Sequence, residues 1–159
     1  MSKPNIVLTR IDNRLIHGQV ASQWAKKVQA EVLLVANDEA AADTFRQELM
    51  NMAAPANVKT MYVSIEKAAE VLAETGDKRV LIIVANPMDA CRLEKEGVDL
   101  AQVNIGNMHM AEGKHQVATT VAVDDTDKEY LKELTDHGCE LFIQRVPGSA
   151  EEPLEKLWK

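Results

Sequence analysis

The densest group of reactive side chains in this sequence lies between residues 10 and 17. Arg10, Asp12, Arg14 and His17 place two guanidinium groups, a carboxylate and an imidazole within eight positions. Neutral imidazole is a nucleophile near pH 7, and arginine forks hold phosphate oxygens in a bidentate manner. This combination predicts a site for phosphoryl transfer.

Each side chain of the group has a separate expected role. His17 is the candidate phosphoryl acceptor, and Asp12 is a candidate hydrogen-bond acceptor that orients the imidazole ring. Arg10 and Arg14 are expected to hold the non-bridging oxygens and to stabilise the charge of the transferring group. The loss of either arginine is therefore expected to slow transfer without unfolding the protein.

The residues that follow His17 extend the predicted site. A helix that begins near Gly18 directs its unpaired backbone N–H groups and the positive end of its dipole toward an anion. Gly18 also lets the backbone approach closely, because it has no Cβ. Gly18 and Gln19 are therefore expected to bind the phosphate through the backbone.

The same residues also fit a plainer interpretation. A histidine before a helix with charged neighbours is often a solvated loop residue. Arg10 and Asp12 are equally compatible with a surface ion pair worth about 0–1 kcal/mol. Spacing alone leaves both interpretations open.

Short apolar runs recur along the chain and favour strands that are buried on both faces. These runs cover residues 6–9, 31–36, 61–63, 80–85, 103–105, 117–123 and 141–143. Stretches with helical period lie between most of them: one begins near Gly18, one follows Asn37 and Asp38, and one covers residues 65–74. The alternation predicts an α/β fold with an open, twisted, mainly parallel sheet and helices on both faces.

Two further helices have explicit boundary signals. Asn86 followed by Pro87 predicts the start of one helix. Asparagine caps the first turn, and the backbone N–H that proline lacks would have no partner in that turn. Thr126 and Glu129 have the spacing of a capping box and predict the start of the last helix, which Gly138 ends.

One segment interrupts the alternation. The apolar runs at 103–105 and 117–123 are separated by a glycine-bounded stretch that is too short for a crossover helix. We expect a loop or hairpin there, and an antiparallel strand at or near the edge of the sheet.

Composition excludes several classes of function. The chain has 159 residues, with 18 basic and 25 acidic side chains, a net charge of −7 and two cysteines that lie far apart. This length and balance fit one domain that covers residues 1–159, and the acidic charge argues against nucleic acid as a partner. No apolar run has the length of a signal peptide or of a membrane span. We therefore expect a reduced, cytoplasmic protein that reaches a membrane only through a partner.

The remaining motifs carry little chemistry. His109 and His115 lie in the glycine-bounded stretch on either side of Glu112, a spacing that provides too few ligands for a metal site. Phosphate-binding loops of nucleotide enzymes and dinucleotide fingerprints are missing from the sequence. We therefore expect neither a metal nor another cofactor.

Residues 8–20, LTRIDNRLIHGQV, resemble the active-site loop of the enzyme IIB components of the mannose, fructose and sorbose family of the bacterial phosphotransferase system. The resemblance extends to the loop at residues 104–106 and to Gln144 and Pro147, so it covers essentially the whole chain. Many family members have a second aspartate where this chain has Asn13, which is expected to affect subgroup more than chemistry.

The resemblance implies a fold and a mechanism. The fold is an open parallel sheet of about seven strands with flanking helices, with one antiparallel strand near its edge as predicted above. A IIB component takes a phosphoryl group from the phosphohistidine of a IIA partner onto its own histidine, here Nδ1 of His17. It passes the group to a sugar carried inward by the membrane subunits IIC and IID. Arg10, Asp12 and Arg14 are the matching loop residues.

The resemblance also bears on the sugar. Residues 104–109 and 112–114, NIGNMH and EGK, are similar to components that serve N-acetylgalactosamine or galactosamine uptake. Mannose, fructose and sorbose are the alternative sugars within the same family.

Two classes outside the family are alternatives on the residues alone. A histidine phosphatase or mutase has arginine directly before its catalytic histidine, where this chain has Ile16. A non-catalytic receiver-type module needs a cluster of acidic residues, whereas Asp12 stands alone between two arginines. Phosphatase assay and the alkali stability of the phosphorylated form distinguish these classes from a phosphocarrier.

Overall fold

Eight strands and six α-helices follow one another along residues 3–159, the part of the chain that the structure, a computed structural model, describes. The strands are β1 (Asn5–Asp12), β2 (Val32–Ala36), β3 (Lys59–Val63), β4 (Arg79–Val84), β5 (Gln102–Asn107), β6 (His115–Ala118), β7 (Val121–Val123) and β8 (Glu140–Ile143). The α-helices are α1 (Val20–Lys27), α2 (Asp38–Ala41), α3 (Thr44–Asn51), α4 (Ala68–Ala73), α5 (Pro87–Lys95) and α6 (Asp125–Asp136). A 3₁₀ helix at Glu155–Trp158 follows the last strand.

The main sheet contains six strands in the order β3-β2-β4-β1-β5-β8, and each neighbouring pair is parallel. The expected α/β fold with a mainly parallel sheet and helices on both faces is therefore confirmed. The expected count of about seven strands is wrong for this sheet, because β6 and β7 form a separate antiparallel sheet, and β7 meets the end of β5 only through a single bridge between Met108 and Val121.

Alternate residues of each strand pack into two separate cores, one on each face of the sheet. In β2, Leu33 and Val35 belong to the core under α1, α2 and α3, whereas Leu34 belongs to the core under α4, α5 and α6. Side chains of a strand alternate between faces, so a strand covered on both sides must be apolar at every position. This burial accounts for the continuous apolar runs of the sequence.

The segment predicted as one strand at 117–123 is instead a hairpin. Its strands β6 and β7 are joined by a turn at Thr119 and Thr120, where the Gln116 amide donates to the carbonyls of Ala118 and Thr119. The hairpin docks beside the end of β5, since Met108 N–H donates to Thr120 O at 2.9 Å. The antiparallel strand expected at the edge of the main sheet therefore belongs to a small second sheet.

Helix boundaries follow the predicted caps in part. Asn86 Oδ1 accepts from Asp89 N–H at 2.8 Å, which confirms that cap. The last helix begins earlier than expected, because Asp124 and Asp127 form its capping box in place of Thr126 and Glu129. Aspartate caps a helix as well as threonine does. Of the two overlapping capping boxes, the one that comes earlier in the sequence is therefore the one that forms.

The connections define a crevice at the carboxyl end of β1. The chain leaves β1 toward α1 on one face, whereas the neighbouring strands β4 and β5 lead to elements that pack on the other face. Ligands of open α/β sheets bind at such switch points. Across residues 3–159, none of the helices is both long enough and apolar enough to span a bilayer.

Candidate functional site

Strand register places Arg10 beside a buried amide. Arg10 of β1 lies opposite Asn104 of β5, and Asn104 lies opposite Phe142 of β8. Neighbours in register point to the same face of a sheet, so the three side chains form a row. Trp24 of α1 covers this row, with its ring centroid 5.6 Å from the Arg10 guanidinium and 6.3 Å from the Phe142 ring.

The Arg10 guanidinium is enclosed by hydrogen bonds and is only 1% exposed. Nη1 donates to Asn104 Oδ1 at 2.5 Å and to Gln144 O at 3.3 Å, and Nη2 donates to Asp12 Oδ2 at 3.1 Å. Burial lowers the pKa of Arg10, and the Asp12 carboxylate opposes this shift. Arginine remains charged in proteins, so the site contains a permanent buried cation.

Gly106 makes room for this cation. A Cβ built on Gly106 lies 2.1 Å from Arg10 Cζ, a separation that no side chain occupies. Gly106 is two residues beyond Asn104 and therefore faces the same side of the sheet. The glycine is required by the close approach of the guanidinium.

Asp12 holds both arginines of the loop. Its Oδ1 accepts from the backbone N–H and Nε of Arg14, at 3.0 and 3.2 Å, while its Oδ2 accepts from Arg10 and from Arg14 Nη2. Along residues 3–159, Asp12 makes no hydrogen bond to His17. The prediction that Asp12 orients the imidazole is therefore not what the structure shows: Asp12 orients the arginines.

The two arginines differ in access to solvent. The Arg14 side chain is 33% exposed, whereas Arg10 is sealed under Trp24. Nη1 and Nη2 of Arg10 already donate to protein acceptors, so the expected contact between Arg10 and phosphate oxygens stays a prediction. Arg10 positions Asp12, and Arg14 is the arginine of this pair that reaches the solvent side.

His17 is exposed at the end of the loop, directly before the first turn of α1. The left-handed backbone of Leu15 buries that side chain in the core under α1, and the next residues turn back to the surface. The helix starts at Val20 rather than near Gly18, and Val20 N–H donates to His17 O at 3.3 Å. Within residues 3–159, the N–H groups of Gly18 and Gln19 have no backbone acceptor and remain available to an anion.

A second histidine contacts the same loop. Asn13 N–H donates to Asn107 O at 3.0 Å, and its side chain is held between Asn107 Nδ2 and His109 Nδ1. Lys114, further along the same segment, pairs with Asp127 at the start of α6 at 2.9 Å. The segment between β5 and β6 is therefore fixed at both ends. His109 and His115 are not part of any group of three metal-binding side chains among residues 3–159.

The site combines these parts into one arrangement. A buried Arg10 holds Asp12, Asp12 holds Arg14, and His17 lies exposed beside free N–H groups. The sequence identified these loop residues but not the enclosing ones, Trp24 and the carbonyls of residues 144–145. Knowledge that β5 lies next to β1, and β8 next to β5, would have pointed to them, since the register of the strands then follows.

The chain matches known proteins over almost its full length. The family described as "PTS system sorbose subfamily IIB component" matches residues 6–159. The N-acetylgalactosamine-specific phosphotransferase enzyme IIB component 2 of Escherichia coli K12 is 41% identical over 155 residues, which are 97% of this chain and 99% of that protein. The mannose-specific EIIAB component of the same organism is 41% identical over 143 residues, 89% of this chain and 44% of that protein.

Solved structures agree with this match. The crystal structure of the N-acetylgalactosamine-specific IIB component 1 from Escherichia coli has a TM-score of 0.89 at 39% identity and covers 94% of this chain and 99% of that one. The chain belongs to the sorbose subfamily of phosphotransferase system IIB components. These components are phosphotransferases that move a phosphoryl group from IIA to a sugar. The phosphatase and receiver hypotheses are therefore not favoured.

Proposed function

We propose that this protein carries the phosphoryl group on Nδ1 of His17. The observation that carries the proposal is the exposure of His17 at the switch point of the sheet, beside the Asp12–Arg14 pair. The N–H groups of Gly18 and Gln19 and the dipole of α1 add donors for an anion. All 159 residues act as one IIB domain.

The transfer consists of two displacements. In the first, the lone pair on His17 Nδ1 attacks the phosphorus of phosphohistidine on IIA, a P–N bond to His17 forms, and the donor's P–N bond breaks with its electrons returning to the donor ring. In the second, a sugar hydroxyl oxygen attacks the phosphorus, the P–N bond to His17 breaks with its electrons returning to the His17 ring, and the hydroxyl proton passes to solvent. Arg14 stabilises the charge on the non-bridging oxygens in both steps, and Arg10 acts through Asp12.

The sugar is N-acetylgalactosamine or galactosamine in this proposal. Support comes from the similarity to two N-acetylgalactosamine-specific IIB components, which match 97% of this chain at 41% and 39% identity. Relatives named for mannose, fructose and sorbose are 41%, 35% and 37% identical over shorter shares of the chain.

The partners follow from the same family. We infer a cytoplasmic protein that accepts phosphate from a IIA protein and docks on the membrane subunits IIC and IID without entering the bilayer. The mannose-specific relative combines IIA and IIB in one name, which supports direct transfer between the two units. Nucleic acid, metal and other cofactors have no part in the proposed reaction.

The decisive experiment is phosphorylation of the purified protein by phosphoenolpyruvate and the general phosphotransferase proteins with a IIA donor. Intact mass and alkaline peptide mapping should show one phosphoryl group on His17, and His17→Gln should abolish it with little change in thermal midpoint. His115→Gln is the matched control, because His115 is also exposed but lies on β6. Label on another residue, or none with an active donor, would overturn the proposal.

A further inference from the structure

The turn after β8 is attached to the buried part of the site by two consecutive carbonyl groups. Gln144 O accepts from Arg10 Nη1 at 3.3 Å and from Asn104 Nδ2 at 3.1 Å. Arg145 O accepts from the Trp24 indole at 3.2 Å. The peptide groups on both sides of the Arg145 Cα are therefore fixed. The one before it binds Arg10 and Asn104, and the one after it binds Trp24.

The turn itself is also constrained. The Gln144 amide donates to Pro147 O at 3.2 Å and to Ser149 O at 2.7 Å, and Ser149 Oγ accepts from Val146 N–H at 3.2 Å. These bonds close the turn around Arg145. The side chain of Arg145 is thus presented from a rigid support at the carboxyl edge of the sheet.

Arg145 is exposed, and its guanidinium has no hydrogen bond or ion pair with any residue in the range 3–159. Its charge nevertheless acts on the site, because Arg145 and Arg14 both lower the pKa of Arg10. The Asp12 carboxylate opposes this shift through its charge and its hydrogen bond. Among these four side chains, three arginines and one carboxylate, the formal charges sum to +2.

Such a surplus is unfavourable until an anion joins it, because like charges repel and one of these arginines is buried. A phosphoryl group carries a charge of about −1.5 to −2 at neutral pH and has oxygens that accept several hydrogen bonds. Its charge therefore matches the surplus. A planar fork with free N–H donors is also the side chain that binds such oxygens in pairs.

We propose that Arg145 binds the phosphoryl group on His17, as an additional arginine of the transfer site that acts together with Arg14. This inference rests on the proposed carrier role of His17. Arg145 donates N–H groups to the non-bridging oxygens and leaves the bonds formed and broken in each displacement unchanged. In this proposal Arg145 holds non-bridging phosphate oxygens, the role that the sequence predicts for Arg10.

The test compares three variants of the full-length protein. Arg145→Ala removes the cation, Arg145→Lys keeps the charge without the fork, and Lys78→Ala makes the same change of net charge at the opposite, amino end of β4. For each, the rate of His17 phosphorylation is measured against the concentration of phosphorylated IIA. The second pKa of the phosphoryl group on His17 is then measured by ³¹P NMR.

Arg145→Ala should lower the rate at saturating IIA by about tenfold, the equivalent of a lost charge-assisted hydrogen bond. It should also raise the pKa of the bound phosphoryl group, since a neighbouring cation favours the dianion. Arg145→Lys should restore the pKa more than the rate, and Lys78→Ala should change neither.

Other results would overturn the inference. A rise in the KM for IIA with an unchanged phosphoryl pKa would make Arg145 a docking residue for the partner. No change in either quantity would make it a surface residue. Failure of the proposed function is distinguishable, because the wild-type protein would then carry no label on His17 in the same assay.

Discussion

Arg10 and Arg14 are the same residue type four positions apart, yet their surroundings give them different functions. Arg10 is 1% exposed and donates only to protein acceptors, whereas the Arg14 side chain is 33% exposed. Both contact Asp12, so the carboxylate transmits the fixed position of one arginine to the other. A buried charge thus serves as a support for an exposed charge.

The first prediction concerns this support. Arg10→Met should lower the free energy of unfolding by about 3–5 kcal/mol, because Asp12 would keep only its contacts with Arg14 and the buried Asn104 Oδ1 would lose its donor. This differs from the expectation that loss of either arginine spares the fold. Denaturant unfolding would measure the change, with Arg14→Met as the matched control. Arg14→Met should cost about 1 kcal/mol, since water replaces part of that contact. Equal losses of unfolding free energy in the two variants would contradict this division of roles between Arg10 and Arg14.

At the scale of elements, β5 is the strand that completes the site around β1. It provides Asn104 as an acceptor and Gly106 as a gap, on the same face and two residues apart. Its continuation, Asn107 and His109, holds Asn13. The loop after β1 is therefore shaped by a strand that lies more than 90 positions later in the chain.

A second prediction tests the gap in β5. Gly106→Ala should destabilise the protein by about 1–3 kcal/mol, because the new methyl group overlaps the Arg10 guanidinium. It should also slow phosphorylation of His17, since a displaced Arg10 releases Asp12. Gly148→Ala is the control, because a Cβ there meets nothing within 4 Å. Thermal unfolding and the IIA transfer assay measure the two effects, and similar behaviour of both variants would refute the steric argument.

The elements also show what the sequence alone was able to predict. Apolar runs and caps placed most strands and helices, because these signals depend on neighbouring residues. The hairpin at 115–123 was predicted as one strand, since its break depends on contacts of Gln116 and Met108. The burial of Arg10 was missed for a similar reason: it depends on the order of strands, which local patterns do not encode.

At the scale of the whole molecule, the two faces of the sheet have separate tasks. The face under α1 encloses Arg10, whereas α5 and α6 pack on the opposite face. His137, just after α6, contacts Glu94 of α5 at 3.0 Å. Stability can therefore change with pH on one face while the transfer site on the other is unchanged.

A third prediction follows from that contact. Glu94 raises the pKa of His137 above its usual value of 6.5, so the folded state binds a proton more tightly than the unfolded state. The resulting stabilisation is fully present below about pH 6.5 and is lost as the pH rises through the folded pKa. The thermal midpoint of the wild type should exceed that of His137→Gln at about pH 5.5, and the two should converge at about pH 8.5. A difference in thermal midpoint that stays the same at both pH values would show that proton binding by His137 does not contribute to stability.

The bonds from Arg10 to Gln144 span 134 positions. During synthesis the amino-terminal loop leaves the ribosome long before β8 does, and domains gain their contacts as the chain emerges. Until β8 docks, Arg10 lacks one of its three acceptors and the Trp24 indole lacks the carbonyl of Arg145. A chain that ends before residue 140 would therefore lack both of these contacts, and the row of Arg10, Asn104 and Phe142 under Trp24 would be incomplete.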